Sequence, residues 1–212
     1  EHAAIRLTRP ELSQSYRVFV LPGSTTIALS NLQKLKAFYD NGGRVIATTR
    51  LPDRSAEFGR DAQVQQLVRE MFGPADAAAE AGFRKQTSAG GGHAWFAPAP
   101  SAAVLQAILA DALPAPDVAW EDAPQIAGGN LSYIHKVVAG REVYFFANSS
   151  DTPIETHVRL RGQLQLERWD PHTGKIAAAE SAPLTEGDQP ITRVLLSLGP
   201  VQSVFLVGQA GR

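Results

Sequence analysis

The segment from Arg17 to Thr49 constrains the fold more than any other part of the chain. Arg17-Val18-Phe19-Val20-Leu21 is a short apolar run closed by Pro22-Gly23, the pattern of a buried strand ended by a turn. Leu32, Leu35, Phe38 and Tyr39 then recur at helical spacing. Ser30 stands three residues before Gln33 as in a capping box, and Gly42-Gly43 supplies a left-handed stop. Arg44-Val45-Ile46-Ala47-Thr48-Thr49 follows as a second strand. Strand, helix, glycine pair and strand in this order form a parallel crossover.

The next 70 or so residues continue the alternation. A second helix is expected with Asp61 as N-cap, Val64, Leu67, Val68, Met71 and Phe72 on one face, and Gly73-Pro74 at its end. His93 to Ala97 reads as a short strand. A last helix runs from Ser101 through Val104, Leu105, Ile108 and Leu109 to Pro114-Ala115-Pro116. The order fits an open, flavodoxin-like parallel sheet flanked by helices.

The Pro-rich stretch from Leu113 to Pro124 reads as a linker, and beyond it the period changes from helical to two. Ser132–Val138, Glu142–Ala147, Ile154–Leu160, Leu164–Trp169, Ile191–Leu198 and Ser203–Val207 are short alternating segments separated by Gly, Pro, Asn and Asp. They indicate an antiparallel β-sandwich, with the doubly apolar Val143–Ala147 as a central strand. The expected fold class is therefore α/β plus all-β, with an α/β domain over residues 1–116 and a β-sandwich over 117–212.

Twenty basic against 21 acidic residues leave a net charge of −1, without a run of like charge, so neither nucleic acid nor an anionic membrane surface is an expected partner. No apolar run reaches bilayer-spanning length. The chain has no cysteine, which excludes disulfides, thiolate metal sites and cysteine nucleophiles. It begins Glu1-His2-Ala3 with neither an initiating methionine nor a signal-peptide pattern, so it is expected to be a piece of something longer.

Leu166-Glu167-Arg168-Trp169-Asp170-Pro171-His172-Thr173-Gly174-Lys175 gathers two carboxylates, a histidine and a tryptophan. Pro171 sets φ for a turn, Asp170 can accept from its own backbone, and Gly174 tolerates positive φ, so the segment is expected to be a hairpin corner. His2, His93, His135, His157 and His172 lack metal-ligand spacing, and no metal is expected. His157 should face solvent beside Glu155 and Arg159. Ala89-Gly90-Gly91-Gly92 precedes a strand, the wrong order for a phosphate cradle, and reads as a mobile loop. No cofactor is expected. Ser24, Arg50 and Asp53 follow the first two strands at the carboxyl edge of the sheet, where such folds bind ligands, and are the candidate substrate-binding residues. Asn130-Leu131-Ser132 and Asn148-Ser149-Ser150 match the glycosylation triplet. Trp95, Trp120 and Trp169 could stack on sugar rings.

The segment Tyr16–Leu21-Pro22 with Leu35–Asn41-Gly42-Gly43-Arg44–Ala47 resembles a class I glutamine-amidotransferase-like domain, a kind found inside large glycoside hydrolases. Tyr144–Ser150, Glu167–Lys175 and Leu198–Val207 resemble the C-terminal β-sandwich of the same enzymes. The two-module order is most similar to the tail of bacterial α-L-rhamnosidases like those of glycoside hydrolase family 106. It resembles less closely the trimerisation and C-terminal domains of β-galactosidases. The resemblance implies a parent hydrolase acting with two carboxylates on an upstream barrel, and a periplasmic or secreted location. It implies as partners that catalytic domain, carbohydrate and, in an oligomer, other copies. Glu57, Glu70, Glu80 and Glu121 match no catalytic motif, and the amidotransferase cysteine is absent. No catalytic residue is assigned.

Three functions follow as expectations: a non-catalytic accessory portion of a glycoside hydrolase, an α-L-rhamnosidase by resemblance; an independent carbohydrate-binding module with an aromatic platform; and a small hydrolase using Ser24 with His93 as base.

Overall fold

The computed structural model describes residues 4–6, 15–74, 82–113, 115–122 and 130–210, and these fall into two compact units that divide after Leu113. The chain is mostly β. The first unit runs β1 (Ile5–Arg6), β2 (Ser15–Tyr16), β3 (Val18–Leu21), β4 (Thr26–Ile27), α1 (Leu29–Asp40), β5 (Arg44–Thr48), β6 (Arg54–Ser55), α2 (Asp61–Phe72), β7 (Arg84–Thr87), β8 (His93–Ala97) and α3 (Ala102–Ala112).

Its main sheet has the order β3-β5-β8-β7, with β3, β5 and β8 parallel. The crossover expected between Arg17 and Thr49 is therefore formed. The sheet is not an all-parallel flavodoxin sheet, because β7 runs antiparallel to β8. Only residues 88–92 join these two strands, and a parallel connection needs a dozen or more. β7 is Arg84-Lys85-Gln86-Thr87, a polar edge strand that hydrophobic pattern alone passes over.

Helices cover both faces. Leu32, Leu35 and Tyr39 of α1 and Val64, Val68, Met71 and Phe72 of α2 pack on Leu21, Val45, Ala47 and Ala94. Ile108 and Ala112 of α3 pack on Ile46, Trp95 and Ala97 from the other side. Val45 and Ala47 thus point one way and Ile46 the other, as a strand buried on both faces requires.

The expected helix caps were partly misplaced. Ser101, the residue at which the last helix is expected to start, caps α3, accepting from the Val104 amide at 3.2 Å. α1 instead begins at Leu29 with Ala28 in the cap position and no side-chain bond of its own. Glu57, from the loop before α2, accepts from the Leu29 amide at 2.9 Å and from Ser55 Oγ at 2.5 Å. The bond from the Leu29 amide, followed by that from Ser55, holds the Glu57 carboxyl below the usual range. Asp61 is the first residue of α2, behind Arg60, where its charge suits the helix dipole, and it accepts from the Ser55 amide at 2.8 Å. Local spacing could not reveal a cap donated across the fold.

The glycine stretch is packed, contrary to the mobile loop expected. A Cβ on Gly92 would lie 1.8 Å from the Tyr39 carbonyl oxygen, and one on Gly90 1.8 Å from that of Asp40. Ser88 Oγ donates to the Tyr39 carbonyl at 3.0 Å and accepts from the Gly92 amide at 2.8 Å. Only glycine lets this hairpin close against the end of α1.

The second unit runs β9 (Val118–Trp120), β10 (Leu131–Val138), β11 (Arg141–Asn148), β12 (Ile154–Arg161), β13 (Leu164–Trp169), β14 (Ile176–Ala178), β15 (Ser181–Glu186), β16 (Gln189–Leu198) and β17 (Ser203–Ala210). Two antiparallel sheets, β10-β11-β17-β13-β14 and β15-β16-β12-β9, enclose one core. Tyr144, Phe146, Leu166, Val204 and Leu206 from the first meet Val158, Leu160, Val194, Leu196 and Leu198 from the second. β11 lies inside its sheet, and Phe145 on its other face packs on Phe205 at 4.9 Å. Part of the expected linker, Val118–Trp120, is instead strand β9, paired with β12; residues 114 and 123–129 lie outside the described residues.

Candidate functional site

The carboxyl edge of the parallel sheet is shaped by the turns that follow β3 and β5. Thr49 takes φ +64, and the Arg50 amide donates to the Thr48 carbonyl at 2.6 Å, a γ-turn of the strained, positive-φ kind. The Thr49 amide is tied to the Ala97 carbonyl at 2.8 Å. Gly23 of the neighbouring turn stands so close that a Cβ there would lie 3.0 Å from Thr49 Cβ. A β-branched residue in this backbone region is held only where its surroundings over-determine it.

Beyond Thr49 the chain is strapped down. The Asp53 and Arg54 amides both donate to the Thr25 carbonyl, at 3.1 and 3.0 Å, and β4 pairs in parallel with β6. Gln65 of α2 donates its side-chain amide to the Asp53 carbonyl at 3.0 Å. The result is a cleft of about 450 Å³ with Pro52, Val68 and Phe96 against Arg50, Asp53, Arg69 and Arg84. The Arg84 guanidinium lies 4.9 Å from the centre of the Phe96 ring. A second, shallower depression of about 500 Å³ adjoins it, lined by Gly23, Ser24, Thr25, Thr49 and Arg50.

Arg50 and Asp53 therefore share one cleft, and Arg50 also borders the depression that holds Ser24. Ser24 Oγ donates to the Thr26 carbonyl at 2.8 Å and accepts from its amide at 3.3 Å, so its hydroxyl serves its own turn. The nucleophile reading fails on geometry. His93 pairs in register with Arg44 at the amino end of β5, whereas Ser24 follows Leu21, which pairs with Ala47 near the carboxyl end. The two residues sit at opposite ends of the strands, about 10 Å of strand apart, with Ser24 lying beyond Leu21 in the turn that follows it. His93 instead bonds Thr87 at 3.1 Å.

The remaining polar candidates have structural partners. Asp170 Oδ1 accepts from the His172 amide at 2.8 Å, its Oδ2 accepts from Thr173 Oγ1 at 2.9 Å, and Gly174 takes φ +72. The stretch around Trp169-Asp170-Pro171 is the hairpin corner expected. Trp169 donates to Glu167 at 3.0 Å, with the Arg141 guanidinium 5.5 Å from its ring. Trp95 is 0 % exposed and donates to Asp111 at 2.9 Å. Trp120 meets Tyr133 and Phe146 edge-on. These settings leave no shared tryptophan platform for a sugar. Asn148 is 2 % exposed and donates to the Thr152 and Gly199 carbonyls, so its triplet is structural. His157 lies on the outward face of β12, 4.0 Å from Glu121. Glu121 pairs with Arg193 at 2.7 Å, and Glu80 lies outside the described residues. Among the described residues no three His, Asp or Glu side chains gather as metal ligands.

One polar cluster escaped sequence reasoning. His135 lies between Glu142 at 2.5 Å and Asp117 at 3.3 Å, stacked on Tyr144 with ring centres 4.2 Å apart. Burial draws the imidazolium pKa down, but the Asp117 and Glu142 carboxylates outweigh it and push it up to about 9. Asp117 also pairs with Arg161. The hairpin register, His135 opposite Tyr144, was available from the short β10–β11 turn, whereas Asp117 comes from just before β9 of the other sheet.

A family model described as α-L-rhamnosidase, of glycoside hydrolase family 106, matches residues 4–182. This chain belongs to that family. A rhamnosidase from Novosphingobium sp. PP1Y shares the fold of this family member at a TM-score of 0.69 and 20 % identity, covering 100 % of the chain and 18 % of the Novosphingobium protein. Gan42B, a GH42 β-galactosidase, matches at 0.55 and 15 %, over 92 % of this chain and 32 % of its own. A β-galactosidase from Bacillus circulans sp. alkalophilus matches at 0.56 and 12 %, over 91 % and 33 %. No curated protein matches the chain. The family 106 chain thus spans between about a fifth and a third of the length of these relatives. They are glycoside hydrolases across both of its units, and none supports the amidotransferase resemblance of the first.

Proposed function

We propose that this chain is the non-catalytic accessory portion of an α-L-rhamnosidase, which braces the catalytic domain of the same polypeptide or completes its substrate cleft. The observation that carries this reading is the family match over residues 4–182, joined to a fold shared with only 18 % of a rhamnosidase. The carboxyl-edge cleft supports it as well. Glycosidases of the common mechanisms place two carboxyl groups about the scissile bond, and among the described residues the only carboxylate lining this cleft is Asp53. Arg50 and Asp53 act there as sugar contacts, with Ser24 at the margin.

The test is hydrolysis of an aryl α-L-rhamnoside by the purified 212-residue chain. No turnover above buffer is the expected outcome. Turnover at enzymatic rates that disappears in Asp53→Asn would refute the reading. Binding of sugar by the isolated chain, in the cleft instead of on tryptophans, is the second reading, favoured by the apolar base and polar walls of the cleft.

A further inference from the structure

We infer that the cleft lined by Arg50, Asp53, Arg69, Arg84 and Phe96 takes a carboxylate-bearing sugar, a uronic acid unit, whose carboxylate is clamped by Arg50 and Arg69. The inference rests on the sugar-contact reading above and adds the chemical class of the ligand.

Charge is the first argument. The whole chain is close to neutral, with 20 basic and 21 acidic residues, yet among the described lining residues the cleft sets the Arg50 and Arg69 guanidiniums beside the Asp53 carboxylate. The second argument is that two arginines without an ion pair share one cleft. Among the described residues Arg50 and Arg69 enter no ion pair; Arg44, Arg54, Arg60 and Arg168 enter none either, but only Arg50 and Arg69 of these line the cleft together. A planar guanidinium fork matches a carboxylate through two parallel N–H donors.

Shape supplies the rest. Pro52, Val68 and Phe96 form an apolar surface of the kind that receives the C–H face of a pyranose ring, and about 450 Å³ accommodates a small saccharide. Asp53 adds an acceptor for ring hydroxyls. The loop that carries Arg50 and Asp53 is fixed before any ligand arrives, through the Thr49 γ-turn, the two hydrogen bonds that the Asp53 and Arg54 amides donate to the Thr25 carbonyl, and the hydrogen bond from the Gln65 side chain to the Asp53 carbonyl. Backbone held in a strained region at the mouth of a cleft fits a preorganised binding site.

The experiment is calorimetric titration of the 212-residue chain at low salt with three probes: digalacturonic acid, neutral galactobiose and inorganic phosphate. Digalacturonic acid is expected to bind at least ten-fold more tightly than either of the others. Its affinity is expected to fall roughly ten-fold or more in Arg69→Gln and in Arg50→Gln, the loss of a charge-assisted clamp. Both side chains are exposed, so unchanged melting curves identify folded variants. Equal affinity for galactobiose, phosphate binding as tight as the uronate, no binding, or affinity unmoved by both substitutions would each overturn the inference. Absence of any sugar binding would also remove the sugar-contact role of Arg50 and Asp53, whereas the non-catalytic reading is decided separately, by rhamnoside turnover.

Discussion

Replacing His135 by glutamine should alter how the β-sandwich responds to alkali. In the folded chain His135 is held, partly buried, between the Glu142 and Asp117 carboxylates and against the Tyr144 ring, and Arg161 also pairs with Asp117. Its pKa rises from an ordinary 6.5 to about 9. A tenfold change in proton affinity is worth about 1.4 kcal/mol. The displacement therefore has a ceiling of somewhat over 3 kcal/mol. The two carboxylates are about a third exposed and partly screened, so about 2 kcal/mol is the expected contribution. Because the folded value lies above the unfolded one, this stabilisation is complete below about pH 6.5. It declines above that and is gone once pH has risen past 9. Urea denaturation of wild type and His135→Gln at pH 6, 7.5, 9 and 10, read by tryptophan fluorescence and circular dichroism, measures it. The difference between the two proteins should be largest at pH 6 and shrink by about 2 kcal/mol by pH 10. A difference independent of pH, or an imidazole titrating near 6.5 by NMR in the folded chain, would refute the argument.

Four further outcomes follow from packing and capping. Gly92→Ala should unfold the first unit or cost several kcal/mol, because its Cβ would lie 1.8 Å from the Tyr39 carbonyl oxygen. Gly91→Ala, at φ +80 in open space, should cost only about 1 kcal/mol by urea midpoint. Trp95→Ala empties a fully buried site between the sheet and α3 and leaves the Asp111 carboxylate without its indole donor; a loss of about 3–5 kcal/mol is expected from denaturation. Glu57→Ala should speed hydrogen exchange at the Leu29 amide and lower stability at neutral pH. Since the folded Glu57 pKa is depressed, that stabilisation is present above about 4.5 and fades as pH falls through the lower folded value.

Much of the fold was legible in short-range pattern. The period-two segments became strands β10 to β13, β16 and β17, and the doubly apolar Val143–Ala147 became an inner strand, because alternation reports directly which faces are covered. Polar edge strands carry no such signal: Arg84–Thr87 and Ser181–Glu186 have no apolar alternation to report their pairing with β8 and β16. Ser30 and Asp61 looked like caps by local spacing, while the group that caps α1 is Glu57, 28 residues away from Leu29.

The site divides along the same line. That Arg50 and Asp53 follow a strand at the carboxyl edge of a parallel sheet could be read from turn and strand residues, since both are local properties. That Arg69 of α2 and Arg84 of β7 reach the same cleft, and that Ser24 and His93 stand at opposite ends of the strands, depends on strand order and helix placement. The sequence by itself determined periodicity, turn chemistry and the absence of thiol chemistry, because each is encoded in neighbouring residues. Only the tertiary structure decided which distant charges meet, because a cation finds its partner through space and not along the chain.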